Sequence, residues 1–232
     1  MIYVISDLHG YPHEKFLQLL KSAGFCDDDF LYILGDVIDR NGDGGIKTLC
    51  WLLEQPNVQL ILGNHEAMLL SCEFLFSEIT DANIEGLTAD KLEFYNTYCL
   101  NGGTATLGSL RKLPKDTQAD IFDYLRDTPV YDAITVNSRD YLLVHAGLKN
   151  FSPDKKIPDY TPDELLWESP EFGDEYYPDI VTVFGHTPTF SYGEEFRGKI
   201  IRTNTWTAID TGAAYGEKPV LLRLDDGSEF TL

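Results

Sequence analysis

Three short apolar runs, Ile2 to Ile5, Phe30 to Leu34 and Val58 to Leu62, each break directly into a polar loop bearing aspartate or histidine. The loops are SDLHG (6–10), GDVIDR (35–40) and GNHE (63–66). Runs this short and rich in β-formers read as buried strands. A helical signal follows each loop. After Pro12, the apolar residues Phe16, Leu19, Leu20 and Ala23 recur at i, i+3, i+4 and i+7, and Gly24 is placed to end the helix. The later loops lead into helical stretches around Ile46 to Leu53 and Ala67 to Phe76. Repeated strand, loop and helix units imply parallel strands. In open α/β sheets, sites are built outside the carboxyl ends of such strands, so the three loops should converge on one rim.

Residues 77–128 read as mainly helical, with a charged amphipathic stretch at Asp116 to Asp127 and a glycine-bearing NGGT at 101–104. Beyond them the texture turns to strands: Pro129–Val136, Tyr141–His145, Ile180–Phe184, Lys199–Arg202, Trp206–Asp210, Val220–Leu224 and Glu229–Leu232. Residues 150–178 hold five of the eleven prolines and are acidic, which predicts a long surface loop with at most a short helix near Asp163 to Trp167. No Gly/Ser linker separates the βαβ-like first half from the β-rich second half, so residues 1–232 read as one α/β (α+β) domain with two sheets.

Charge narrows the partners. Eighteen Lys and Arg against 38 Asp and Glu give a formal net charge of −20, a field that repels nucleic acid and anionic membranes. The same field repels phosphorylated substrates, so a phosphate-handling site here needs strong local positive charge, such as metal ions. The four cysteines form no CxxC pair and read as reduced thiols. No apolar run approaches a membrane span and the N-terminal stretch is broken by Ser6 and Asp7, so a soluble, cytoplasmic protein is expected.

Four of the five histidines sit in tight polar clusters at or beside strand ends: Asp7-Leu8-His9, Asn64-His65-Glu66, His145-Ala146-Gly147 and Gly185-His186-Thr187. With Asp36 and Asp39 they make a donor set of imidazoles, carboxylates and an amide, suited to Mn, Fe or Zn rather than Ca. The mechanistic template for such a set is a two-metal site, in which two cations share a bridging carboxylate and supply hydroxide near neutral pH.

Taken in order, DLHG (7–10), GDVIDR (35–40), GNHE (63–66), HAG (145–147), GHTP (185–188) and DTG (210–212) resemble the phosphoprotein phosphatase branch of the calcineurin-like metallophosphoesterases. The resemblance covers nearly the whole chain, and its size and short loops are most similar to compact bacterial and bacteriophage members. It implies a central β-sandwich of two mixed sheets flanked by helices, and two divalent cations, with manganese the first expectation and iron or zinc the alternatives. It further implies that Asp7 and His9 hold the first metal, that Asp36 bridges both, and that Asn64, His145 and His186 complete the second site. His65, oriented by Asp39, would be the general acid during in-line attack by a metal-bridging hydroxide. Arg40 would grip phosphate oxygens through its planar fork, with Asn64 also at the phosphate.

The chain departs from the pattern in places. Pro188 stands where generic metallophosphoesterases carry a second His, which favours the phosphatase branch. Protein phosphatases of the family also carry a second phosphate-binding Arg between the third and fourth metal segments, yet no Arg lies between Arg139 and Arg197. The LLWESP segment (165–170) resembles the place where it would fall, with Lys155 or Lys156 as conceivable substitutes. Asn41 replaces a usual Gly, a milder change.

Taken singly, Asp-x-His is an ordinary loop and Asn-His-Glu can be helix capping by Asn64. Asp39 could cap a helix, Arg40 could be a surface ion pair, and Asp210 reads as a turn-ordering or supporting residue rather than a ligand. Their conjunction in family order favours a site. The leading expectation is a dinuclear-metal-dependent phosphomonoesterase of the serine/threonine protein phosphatase type, acting on a phosphorylated protein. The alternatives are a small-molecule phosphoesterase such as a dinucleoside polyphosphate hydrolase, motivated by the missing Arg, and a non-catalytic metal-binding interaction domain.

Overall fold

The computed structural model describes residues 1–77 and 88–232. Part of the helical stretch read from the sequence, residues 78–87, lies outside the described residues. The chain builds two five-stranded sheets, and each is a parallel trio extended by antiparallel partners. In the first sheet, β1 (Ile2–Ile5), β2 (Phe30–Ile33) and β3 (Val58–Leu60) run parallel, while β9 (Leu221–Arg223) pairs antiparallel with β1 and with β10 (Glu229–Phe230). In the second, β5 (Arg139–Val144), β6 (Ile180–Phe184) and β8 (Trp206–Ala208) run parallel, flanked by antiparallel β4 (Tyr131–Val136) and β7 (Ile201–Arg202).

Strand alternation assigns the cores. Val4 and Tyr32 face the second sheet and meet Leu143, Val181 and Val183, while their neighbours Tyr3, Ile5, Leu31 and Ile33 turn outward to the helices. The helical layer comprises α1 (His13–Ser22), α2 (Ile46–Leu52), α3 (Asn64–Ser71), α4 (Ala89–Tyr98), α5 (Thr104–Leu110) and α6 (Lys115–Asp127). As its spacing predicts, α1 buries Phe16, Leu19 and Leu20 against β1 and β2.

Two sequence expectations are corrected. The GNHE motif does not form a loop ahead of a helix at Ala67, because α3 already begins at Asn64, capped by Gly63 in an extended conformation. Nor is 150–178 only a surface loop. Besides the expected short helix, α7 (Pro162–Leu166), it buries Tyr160, Leu165 and Tyr176 against Val144, Phe184 and Trp206, closing the outer face of the second sheet. The aromatic and leucine side chains in that acidic segment are what anchor it.

Candidate metal centre

Backbone pairing carries the parallel register of β1 and β2 into their loops: Asp7 N–H donates to Gly35 O, His9 N–H to Asp36 O and Gly10 N–H to Val37 O. The loops stay zipped only because the chain coils left-handed at intervals. Among the described residues, nine non-glycine residues have φ above zero, and six of them are the sequence candidates Asp7, His9, Asp36, Asp39, Arg40 and His186. Such conformations cost on the order of 1 kcal/mol or more each, and they persist where surrounding bonds over-determine them. The glycines preceding Asp36 and His186 have no room for a side chain. A Cβ on Gly35, at φ +81°, would lie 2.5 Å from His145 Nδ1, and one on Gly185 would lie 2.0 Å from Asp7 Oδ2.

Two ligand-forming groups result, His9–Asp36–His65 and Asp36–His145–His186, and Asp36 belongs to both. Three imidazoles are oriented alike. His9 Nδ1 donates to Ile38 O at 3.1 Å, His145 Nδ1 to Leu34 O at 2.7 Å and His186 Nε2 to Trp167 O at 3.1 Å. A carbonyl can only accept, so each ring's other nitrogen is left with a lone pair facing inward. Those lone pairs meet further acceptors: His9 Nε2 lies 3.4 Å from Asp36 Oδ2, and His145 Nε2 and His186 Nδ1 lie 2.8 and 3.1 Å from Asn64 Oδ1. Asp7 points into the same space. Its Oδ2 accepts from His186 N–H at 2.9 Å, while its buried Oδ1 has no hydrogen-bond partner and stands 3.8 Å from His9 Nε2. Converging lone pairs and an orphaned carboxylate oxygen are what a pair of cations would reconcile, so the donor set fits divalent metal ions.

The electrostatics agree. Burial holds His9 down to about 3, His186 down to about 4 and His145 below its ordinary value, so all three rings are neutral near pH 7, the form that can ligate a cation. Burial would raise Asp36, but the surrounding His145, His65, His9 and His186 outweigh it and hold the carboxyl below the usual range. Asp7 has the opposite balance: burial, then the Asp210 and Asp36 carboxylates, push it well up. Asp210, whose Oδ1 accepts from Gly212 N–H at 2.9 Å, is raised by burial to about 7.

His65 is held differently. Its Nδ1 meets not a carbonyl but Asp39 Oδ2, at 2.6 Å, and Asp39 Oδ1 accepts from Tyr98 OH at 2.8 Å and Thr106 Oγ1 at 2.5 Å. Although burial opposes it, the Asp36 and Asp39 carboxylates raise the His65 pKa. Its Nε2 lies 3.4 Å from Arg40 Nη2 and 3.8 Å from Asp36 Oδ2. Tyr98 and Thr106 carry no motif of their own. The NGG stretch does reach the site: Gly102 O accepts from Arg40 N–H at 3.1 Å.

Glu66, in the first turn of α3, is fully buried and accepts the N–H groups of Asp36, Val37, Ile38 and Gly63 at 2.8–3.3 Å. It ties the second loop to the start of α3. Burial raises its carboxyl to about 7. Lys155, considered as a substitute for the missing Arg, instead pairs with Glu164 at 2.7 Å and lies over the Tyr160 ring.

A two-sheet sandwich with six motif segments gathered at one rim defines the class, a metallophosphoesterase. Residues 1–212 match the calcineurin-like phosphoesterase family, and the chain belongs to it. A relative from Chromobacterium violaceum, named bis(5′-nucleosyl)-tetraphosphatase, symmetrical, is 28% identical over 196 residues, 81% of this chain and 57% of the relative. The chain thus spans little more than half that relative's length. A solved structure provisionally named a diadenosine tetraphosphatase superimposes with TM-score 0.63 at 17% identity, covering 100% of this chain and 92% of its own. A serine/threonine phosphatase from Saccharomyces cerevisiae gives TM-score 0.59 at 16% identity, covering 100% and 79%. These likenesses in structure show the shared fold.

Proposed function

We propose that this protein is a dinuclear-metal-dependent hydrolase of small phosphoesters, with dinucleoside polyphosphates as the substrate class. One observation carries the choice over a protein phosphatase: among the described residues a single guanidinium, that of Arg40, stands at the centre. The other six arginines are engaged with Phe76, Glu73, Tyr141, Glu194, Glu229 and Asp226. A terminal phosphomonoester presents three non-bridging oxygens and close to two charges, and a second Arg is suited to gripping them. A phosphate inside a polyphosphate chain presents two such oxygens and one charge, which one fork can match. The name of the Chromobacterium relative supports the same substrate class.

In this reading Asp7, His9 and Asp36 hold one cation, and Asp36, Asn64, His145 and His186 hold the other. When bound, the pair would activate water and neutralise phosphate charge. Arg40 orients the scissile phosphate. His65 holds a proton on Nε2 that it can deliver to the departing oxygen where the leaving group is basic enough to need it, while Asp39 fixes Nδ1–H and stabilises the imidazolium. The serine/threonine phosphatase reading uses the same ligands and acid, and differs only in what Arg40 alone must grip.

The test is kcat/KM of the metal-loaded protein on diadenosine tetraphosphate, phosphoserine, phosphothreonine and phosphotyrosine peptides, and a bis-aryl phosphodiester. The dinucleotide should be the best substrate. A clear preference for phosphopeptides would return the assignment to the protein phosphatase branch.

A further inference from the structure

We propose that Tyr215 and Trp167 are base-stacking platforms, one beyond each half of the centre, so that the site reads a nucleoside at either end of a polyphosphate. The inference rests on the dinucleotide reading above and assigns the residues that would recognise the bases.

Both side chains are large aromatics left open to water, Tyr215 57% and Trp167 43% exposed. Exposed aromatic area is unfavourable unless something covers it. Each is nonetheless tethered to a functional residue. Tyr215 OH accepts from Arg40 Nη1 at 3.1 Å, and the Arg40 guanidinium lies 5.5 Å from the Tyr215 ring centre. Phe190 packs edge-on against that ring at 5.4 Å and 87°, holding its orientation. The preceding residue is clipped to the second loop, since Ala214 O accepts from Asn41 Nδ2 at 3.4 Å. Because Arg40 also reaches His65, the path outward from the acid passes Arg40 and arrives at Tyr215.

Trp167 is tethered to the other ligand-forming group, at His186. Its carbonyl orients His186, and its ring stands 6.4 Å from the His186 ring at 86°. Tyr215 therefore flanks the His9–Asp36–His65 group and Trp167 the Asp36–His145–His186 group. A flexible polyphosphate bound through cations and one Arg carries no information about its ends. A π-face on each side supplies it, by stacking that tolerates any base and adds affinity without adding charge.

The test uses the metal-loaded 232-residue protein and two non-hydrolysable ligands, the methylene-bridged analogue of diadenosine tetraphosphate and the same bridged tetraphosphate capped at both ends by methyl esters in place of nucleosides. Binding is measured by calorimetry for the wild type, Trp167→Leu, Tyr215→Leu and Tyr215→Phe. The wild type should prefer the dinucleotide by about tenfold or more, and each leucine variant should shrink that preference by about fivefold or more. Tyr215→Phe, which keeps the ring and loses the contact to Arg40, should retain it. No preference in the wild type, an unchanged preference in either leucine variant, or equal loss in Tyr215→Phe and Tyr215→Leu would overturn the proposal. If the preference behaves as expected while diadenosine tetraphosphate is not hydrolysed, stacking stands and the substrate assignment fails.

Discussion

His65 Nδ1 lies 2.6 Å from Asp39 Oδ2, whereas the outer ring nitrogens of His9, His145 and His186 all face backbone carbonyls. In the proposed function, this one hydrogen-bond partner separates the proton donor from the three ligands. A carboxylate favours the imidazolium and a carbonyl fixes a neutral tautomer, so the four imidazoles of one centre divide by role.

Asp39→Asn should therefore harm chemistry in proportion to leaving-group basicity. For an alkyl phosphomonoester, whose alkoxide needs a proton, kcat should fall by about 10²–10⁴. For p-nitrophenyl phosphate or a dinucleotide, whose leaving groups are stable anions, the loss should be far smaller. Steady-state kinetics on the three substrates, with metal content checked, test this. An equal loss on all three would mean that Asp39 serves structure alone.

If Asp39 orients His65 as proposed, Tyr98 and Thr106 should act on the reaction through it, as positioning residues. Tyr98→Phe removes one donor from a buried carboxylate and should cost about 1–3 kcal/mol in stability, read from denaturant unfolding. It should also reproduce a weaker form of the Asp39→Asn dependence on leaving group. A stability loss with no change in that dependence would confine Tyr98 to the core.

Glu66→Gln replaces a carboxylate accepting four amide N–H groups with a side chain having one accepting oxygen. The amide NH₂ would oppose backbone donors, so destabilisation of about 3 kcal/mol and loss of metal affinity are expected together. Thermal unfolding with and without manganese checks both. Unchanged metal affinity would show that the second loop holds its shape without Glu66.

Metal loading should release protons and strengthen with pH. In the metal-free protein Glu66 and Asp210 are raised to about 7, so both hold protons below neutrality that cations would expel, and Asp7, raised by burial and its carboxylate neighbours, shifts in the same direction. Affinity should fall as pH drops below 7, by about tenfold per unit for each proton displaced. His9 and His186, held at about 3 and about 4, add no competition in that window. Manganese titrations at several pH values, in buffers of different ionisation heat, decide the matter, and a flat profile from pH 5.5 to 7.5 would contradict it.

The three strand and loop units were legible in the sequence because apolar runs end abruptly in charged motifs, and the parallel register brings such ends together. The start of α3 was misplaced because Asn64 looks like a cap, although Gly63 fills that position and leaves the Asn64 amide free to face His145 and His186. Glu66 left a faint signal, an acid three residues after the true cap. Tyr98 and Thr106 left none, because their partner Asp39 is 59 and 67 residues away and only folding makes the contact. The burial of Tyr160 and Tyr176 was hidden by the acidic residues around them.

In the proposed function Asp36 would join two cations in one centre. Electron paramagnetic resonance of the manganese-loaded protein tests it most directly. Two equivalents per chain should give an exchange-coupled spectrum, replaced in Asp36→Asn by uncoupled ions or by loss of binding. A wild-type protein that saturates at one equivalent, or holds two ions with the spectrum of isolated manganese, would contradict it.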